Sequence, residues 1–232
     1  GGEGIFSVGK VCSIVKKIKN MYPDCAVTLS LGEYETQDYE KMYSAGADRY
    51  LLRHETANSE HYRMLHPASL SARHRQNCLW DLKSIGYQIG TGFMVGAPFQ
   101  TTENLADDML FLKELNPHMI GIGPFIPHHD TKCAKEKAGS VELTLKLLSV
   151  IRLLLPKVLL PATTALGTMD PSGREKGLSV GANVVMPNLS PVENRKQYEL
   201  YDNKICTGDE AQKCKNCLSA RVRSVGYELV EE

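Results

Sequence analysis

The chain has 232 residues, enough for one large α/β barrel or two ordinary domains, and at 42% hydrophobic and 23% charged it has a globular composition. Disorder, collagen and coiled coil are excluded on that balance. Twenty-seven Lys and Arg offset twenty-seven Asp and Glu for a formal charge of +0, so the basic footprint of a nucleic-acid binder is absent and a small substrate is expected.

The chain opens Gly1-Gly2-Glu3-Gly4 without a starting Met or a signal sequence, as expected of a truncated chain that begins inside a turn. Val8, Val11, Ile14, Val15 and Ile18 then recur at helical spacing as far as Met21, and Pro23 ends the run before a strand-like 26–31. The unit repeats. A helix opened by Thr36 closes at Ala45-Gly46 before a strand over 49–53; another, opened by Ser71, closes at Ile85-Gly86 before a strand over 88–94. A helix over 102–115 ends at Asn116-Pro117 and leads to a strand over 119–123. The helix over 141–155 passes Pro156 into a strand over 157–161, and a sixth strand spans 183–186. The longest apolar stretch, Val150 to Leu160, is broken by Arg152, Pro156 and Lys157 and falls short of the ~18 residues of a membrane helix, so no membrane partner is expected.

Alternating strands and helices imply a parallel sheet. Six strands suit an open doubly wound sheet or most of a closed (β/α)8 barrel. No Gly-x-Gly-x-x-Gly opens a helix, which disfavours the dinucleotide-binding form. The reading is therefore an α/β TIM barrel over 1–189, six of its eight strands present and the first two lying before Gly1. An irregular extension follows over 190–232.

In such a barrel the site lies at the C-terminal ends of the strands. There stand Ser30-Leu-Gly-Glu33, Arg53-His-Glu-Thr56, Met94-Val-Gly-Ala-Pro98, Pro124-Phe-Ile-Pro-His-His129, Pro161-Ala-Thr-Thr164 and Met186-Pro-Asn188. Together they offer hydroxyls, a thioether, carboxylate and guanidinium to a polar ligand of mixed charge. Arg53 and Glu55, two apart, share one face of an extended segment, either paired with each other or aimed at a ligand. His128 and His129 could ligate a metal, but no other ligands are near in sequence and a solvated loop is the simpler reading. Tyr198 and Tyr201 read on spacing alone as packing aromatics.

Seven cysteines in a chain without secretory features favour a reducing compartment, and a cytoplasmic location is expected. Cys12 and Cys78 sit in helical apolar patterns as small buried hydrophobes. Cys206, Cys214 and Cys217, spaced x7 and x2 among Lys, Asp and Gly on a turn, are too polar a set for core thiols. Three thiolates without a fourth protein ligand suit an iron-sulfur cluster better than zinc, with thiol redox chemistry the lesser alternative.

These features resemble the radical S-adenosylmethionine (SAM) superfamily and, within its biotin-synthase-like group, the HydE-type maturases of [FeFe]-hydrogenase. The resemblance rests on Gly1-Gly2-Glu3, the Ser30 to Glu33 loop, the stretch from Leu52 to Asn58 with Leu65-His-Pro67, and Gly92 to Gly96. It continues through Gly121 to His128, Pro161 to Ala165, Gly181 to Asn188 and the three-cysteine tail. It implies that Gly1, Gly2 and Glu3 hold the methionyl amino group of SAM, Glu55 a polar edge, Arg75 the carboxylate with Arg73 as competitor, and Met94 the adenosyl part. Thr28, Arg53, Thr163, Thr164, Met186, Tyr198 and Tyr201 would line the second-substrate cavity. A [4Fe-4S] cluster would release a 5'-deoxyadenosyl radical from SAM to attack a small-molecule or organometallic substrate, with hydrogenase-maturation proteins as partners. Cys206, Cys214 and Cys217 would hold an accessory iron-sulfur cluster. The superfamily's Cys-x3-Cys-x2-Cys is absent from the seven cysteines; its loss to truncation before Gly1 is the expectation, leaving this fragment inactive alone. The alternatives are a methylornithine-synthase-type enzyme, a non-catalytic fragment that binds SAM or a partner, and a cluster-free barrel lyase or aldolase, for which no Schiff-base Lys stands at a strand end.

Overall fold

Apolar residues at helical spacing make α1 (Val8–Met21), which buries Val11 and Val15 and is followed by β1 (Thr28–Leu29). Then come α2 (Thr36–Ser44), β2 (Arg49–Leu51), α3 (Ser59–Leu65), α4 (Ala72–Ile85), β3 (Gln88–Thr91) and β4 (Met94–Val95). Next are α5 (Thr102–Leu115), β5 (Met119–Ile120), β6 (Gly123–Pro124) and α6 (Val141–Leu154). The series ends with α7 (Thr164–Met169), α8 (Gly173–Ser179), α9 (Val192–Arg195) and α10 (Ala211–Ser224). The computed structural model describes residues 6–195, 200–205 and 211–230, with backbone alone for 211–214. Contacts divide the chain into a first unit, Gly1–Phe93 with Thr101–Ile120, and a second, Met94–Gln100 with Gly121–Glu232.

In the first unit four strands pair in parallel in the order β1-β2-β3-β5. The sheet's buried residues, Tyr50 and Ile89 among them, pack against Val15, Tyr39, Met42, Leu79 and Leu82 from the helices. Three tyrosines lock this core edge to face: Tyr39 and Tyr50 lie 5.1 Å apart at 78°, Tyr50 and Tyr87 5.8 Å apart at 80°. Burial pushes all three phenols above the ordinary tyrosine range, so they remain hydroxyls and need partners. Those of Tyr39 and Tyr50 donate to the Gly32 carbonyl, and that of Tyr87 to the Tyr39 carbonyl.

In the second unit β4 and β6 pair in parallel. Gly139 crosses beside them so closely that a Cβ there would stand 2.0 Å from the Val95 carbonyl oxygen, and only glycine fits. The expected strands over 157–161 and 183–186 contract to one parallel bridge between Pro161 and Val184. Proline cannot donate to a ladder, and the Asn183 side chain takes the Leu160 N–H at 2.8 Å. The third and fourth expected strands each break in two, as β3 with β4 and β5 with β6.

The helix start at Ser71 stands where the sequence places it, and the helix expected over 102–115 proves to be capped by Thr101, in a capping box with Asn104. Helices α3, α7, α8 and α9 add to the expected set. The tail also differs from expectation: the Cys214 to Cys217 stretch is not a turn but part of α10, an amphipathic helix that buries Leu218 and Val222.

Candidate functional site

In the first unit the loops after β1 and β2 and the first turn of α4 bring four charged side chains together. The β1 loop is fixed on both sides of Glu33: Gly32 gives its carbonyl to two tyrosine hydroxyls, and the Tyr34 N–H donates to the Tyr39 hydroxyl at 2.9 Å. Glu33 Oε1 accepts from Arg75 Nη1 at 2.7 Å, and Oε2 lies 3.5 Å from His74 Nε2. Arg75 Nε donates to the Arg53 carbonyl, tying α4 to the strand end. Arg73 is exposed.

Arg53 stands differently. Its Nε is 3.7 Å from Glu55 Oε2, an ion pair too long for a hydrogen bond. Its Nε and Nη2 are buried and have no hydrogen-bond partner among the described residues. Buried cationic donors left this way are costly, and a carboxylate or hydroxyl supplied by a ligand would satisfy them. Glu55 departs from the extended segment expected of it: its φ is 66°, in the left-handed region, although its N–H bonds to the Gly92 carbonyl and it bridges in parallel to Phe93. The Arg53 and Glu55 side chains still approach. Guanidinium and carboxylate side by side at a strand end can accept a ligand that carries both signs of charge.

Thr28 is exposed in β1, in register with Arg49 and so about 13 Å along the strand direction from Arg53. Gly1, Gly2, Glu3, Tyr198 and Cys206 lie outside the described residues.

In the second unit Thr164 and Met186 line a cavity of about 300 Å³ with Arg174, Asn188, Arg195 and Lys204. Arg174 Nη2 donates to Thr164 Oγ1 at 3.2 Å, and Arg195 holds the carbonyls of Asn188 and Ser190. Thr163 caps α7 by accepting the Leu166 N–H. Met94 and Tyr201 are half-buried. A larger cavity of about 830 Å³, between α1 and α2, contains Lys16, Glu40 and Cys12 and none of the strand-end groups.

His128, His129 and Asp202 present ligand atoms within 4.8 Å of one another. The sequence signal for the histidines was visible; Asp202, 73 residues from His129, was not. Their hydrogen bonds describe a clasp. The Asp130 N–H donates to His128 Nδ1 at 3.1 Å, and the two nitrogens of His129 face Asp202 at 2.7 Å and Asp130 at 3.3 Å. A cation would have to displace these bonds. The hydrogen bond from His129 holds the Asp202 carboxyl below its ordinary range.

On α10, Cys214 and Cys217 are one turn apart, a spacing that shares a helix face. Cys217 is exposed, and its hydrogen bond to Arg221, with Glu175 adding its charge against the cost of burial, raises that guanidinium's pKa.

No family model matches the chain. It is 52% identical over 226 residues to the [FeFe] hydrogenase maturase subunit HydE of Thermotoga maritima, covering 97% of this chain and 64% of that protein. The chain is thus similar to HydE along nearly its whole length. A 3-methylornithine synthase of Methanosarcina acetivorans is 28% identical over 189 residues, 80% of this chain and 53% of that protein. Among solved structures, methylornithine synthase (PylB) matches with a TM-score of 0.78 at 24% identity, over 96% of this chain and 64% of that one. The hydrogenase maturase HydG matches with a TM-score of 0.74 at 18% identity, over 95% and 50%. These likenesses show the fold, an α/β barrel. The chain spans between about half and two thirds of the length of the relatives it matches. All six expected strand segments pair in parallel.

Proposed function

We propose that this chain is part of a radical SAM enzyme that acts in [FeFe]-hydrogenase maturation. The observation that carries the reading is the pair of buried, unpartnered nitrogens of Arg53 beside the left-handed Glu55, at a strand end of a chain 52% identical to HydE. Such a pair fits a zwitterionic, hydroxyl-rich ligand. In this reading Glu55 accepts a polar edge of SAM, Arg75 meets its carboxylate while braced on Glu33, and Gly1, Gly2 and Glu3 take its amino group. Met94 lies along the adenosyl part. Arg53, Thr28, Thr163, Thr164, Met186, Tyr198 and Tyr201 face the second substrate, a small-molecule or organometallic species.

A [4Fe-4S] cluster beside bound SAM would supply the electron that yields methionine and a 5'-deoxyadenosyl radical; this chain's share would be to bind, orient and shield SAM. None of the seven cysteines stands in a Cys-x3-Cys-x2-Cys, so these residues do not fit that cluster. Cys206, Cys214 and Cys217 are proposed to hold an accessory iron-sulfur group, supported by the one-turn spacing of the last two on α10. Iron and sulfide analysis of protein purified without oxygen, before and after changing the three to Ser, checks that assignment: the variant is expected to lose both elements from that site.

The reading as a whole is tested by anaerobic, reductant-dependent release of 5'-deoxyadenosine from SAM, measured on the full-length protein. Release that falls at least about tenfold in Glu55→Gln is expected, the size of one lost charged hydrogen bond; release indifferent to Glu55 would refute the assignment. A methylornithine-synthase-type activity draws on the PylB structural match, but the 52% identity favours the maturase reading.

A further inference from the structure

The left-handed backbone of Glu55, φ 66°, is strained for a residue with a Cβ and persists only where its surroundings over-determine it. One carboxylate provides that constraint. Asp108, on the buried face of α5, is wholly inaccessible to solvent. Its Oδ1 accepts the Ala57 N–H at 2.6 Å and lies 3.2 Å from His54 Nε2. The same oxygen thus takes the residue before Glu55 and the residue two after it. On the far side of the imidazole, Thr91 Oγ1 lies 2.9 Å from His54 Nδ1 and accepts the His54 N–H at 3.2 Å. A carboxylate oxygen only accepts, so Nε2 carries the proton, and the Thr91 hydroxyl can donate to Nδ1. Phe93 and Phe111, with ring centroids 5.8 and 4.9 Å from that of His54, leave the imidazole little room to turn. Asp108 Oδ2 is buried with no hydrogen-bond partner among the described residues. A carboxylate retained at that cost, away from any ligand, has its purpose in the oxygen that is used.

We propose that Asp108 is a positioning residue for Glu55: by stapling His54 and Ala57 to one oxygen it holds the strained turn that aims the Glu55 carboxylate beside Arg53. The proposal rests on the reading of Glu55 as a ligand contact. Asp108 itself touches no ligand and acts only through that turn. Asparagine keeps an acceptor oxygen in the same place and retains the staple; alanine removes it.

Calorimetric titration of the anaerobically prepared protein with SAM tests this. Asp108→Ala is expected to weaken binding about tenfold while Asp108→Asn stays within about threefold of the parent, and Asp108→Ala added to Glu55→Gln is expected to weaken binding no further than Glu55→Gln alone. That non-additivity is what a merely structural Asp108 would not produce. Full binding in Asp108→Ala, or effects that add in the double variant, would overturn the proposal while leaving the Glu55 assignment standing. Full binding in Glu55→Gln would instead remove the reading on which it rests. Should Asp108→Ala not fold, Thr91→Val cuts the other anchor of His54 and is held to the same pattern against Glu55→Gln.

Discussion

Arg53 is the residue whose surroundings least explain it, since two of its nitrogens are buried without a hydrogen bond among the described residues and its carboxylate neighbour Glu55 is 3.7 Å away. Its side chain is 36% exposed, so Arg53→Met is expected to leave the melting temperature nearly unchanged while SAM affinity falls at least about tenfold, the pattern of a functional side chain. Thermal denaturation and calorimetry on the same preparation check both halves; a melting temperature lowered by the change would mean the guanidinium is satisfied structurally. This side chain and Glu55 were readable as candidates because charge at a strand end is unusual. Glu33, by contrast, was only one member of a loop, and its pairing with Arg75 was hidden because 42 positions separate them. Asp108 was not singled out, although its spacing from Leu105, Phe111, Leu112 and Leu115 places it on the apolar face of α5; its partners His54 and Ala57 lie more than fifty positions away.

Helices were the elements most visible in advance, because caps and periodicity are local. Thr101 is a direct case: its hydroxyl accepts the Asn104 N–H while the Asn104 side chain accepts its own. Thr101→Ala should cost about 1 kcal/mol of stability, measured by denaturant unfolding, with no change in the slope of the transition. The turn between α7 and α8 makes a pH prediction. Asp170 accepts from Lys176 at 2.6 Å and from the backbone and hydroxyl of Ser172 at 2.9 Å, and its pKa is held at about 2 against an ordinary 3.8. A carboxyl lowered on folding stabilises the fold above the unfolded value and loses that contribution as pH falls through the folded one. Acid unfolding between about pH 4 and pH 2 should therefore be less steep in Asp170→Asn; an unaltered acid limb would show the contacts to be without effect. Strands were less legible than helices. Two-residue ladders and a lone bridge are set by glycines, prolines and long-range register, none of which a short apolar run announces. The helix α10 was missed because its polar composition reads as a tail, and the few apolar positions that make it amphipathic find their partners only in the folded chain.

At the scale of the whole molecule, the parallel α/β pattern followed from the strand-helix repeat, and the barrel read from the strand count and the strand-end motifs agrees with the likeness to PylB and HydG. The likeness to HydE, at 52% identity, agrees with the resemblance that the motifs at the strand ends carry. The charges, caps and strained turn of the first unit converge on one physical claim, that Arg53 and Glu55 are held ready for an adenosylated amino acid. A crystal structure of the protein with SAM tests that claim most directly. The account predicts SAM oxygen or nitrogen atoms within about 3 Å of the Glu55 carboxylate, with the left-handed backbone of Glu55 unchanged. SAM seated in the cavity of Arg174 and Arg195, with Glu55 untouched, would contradict it.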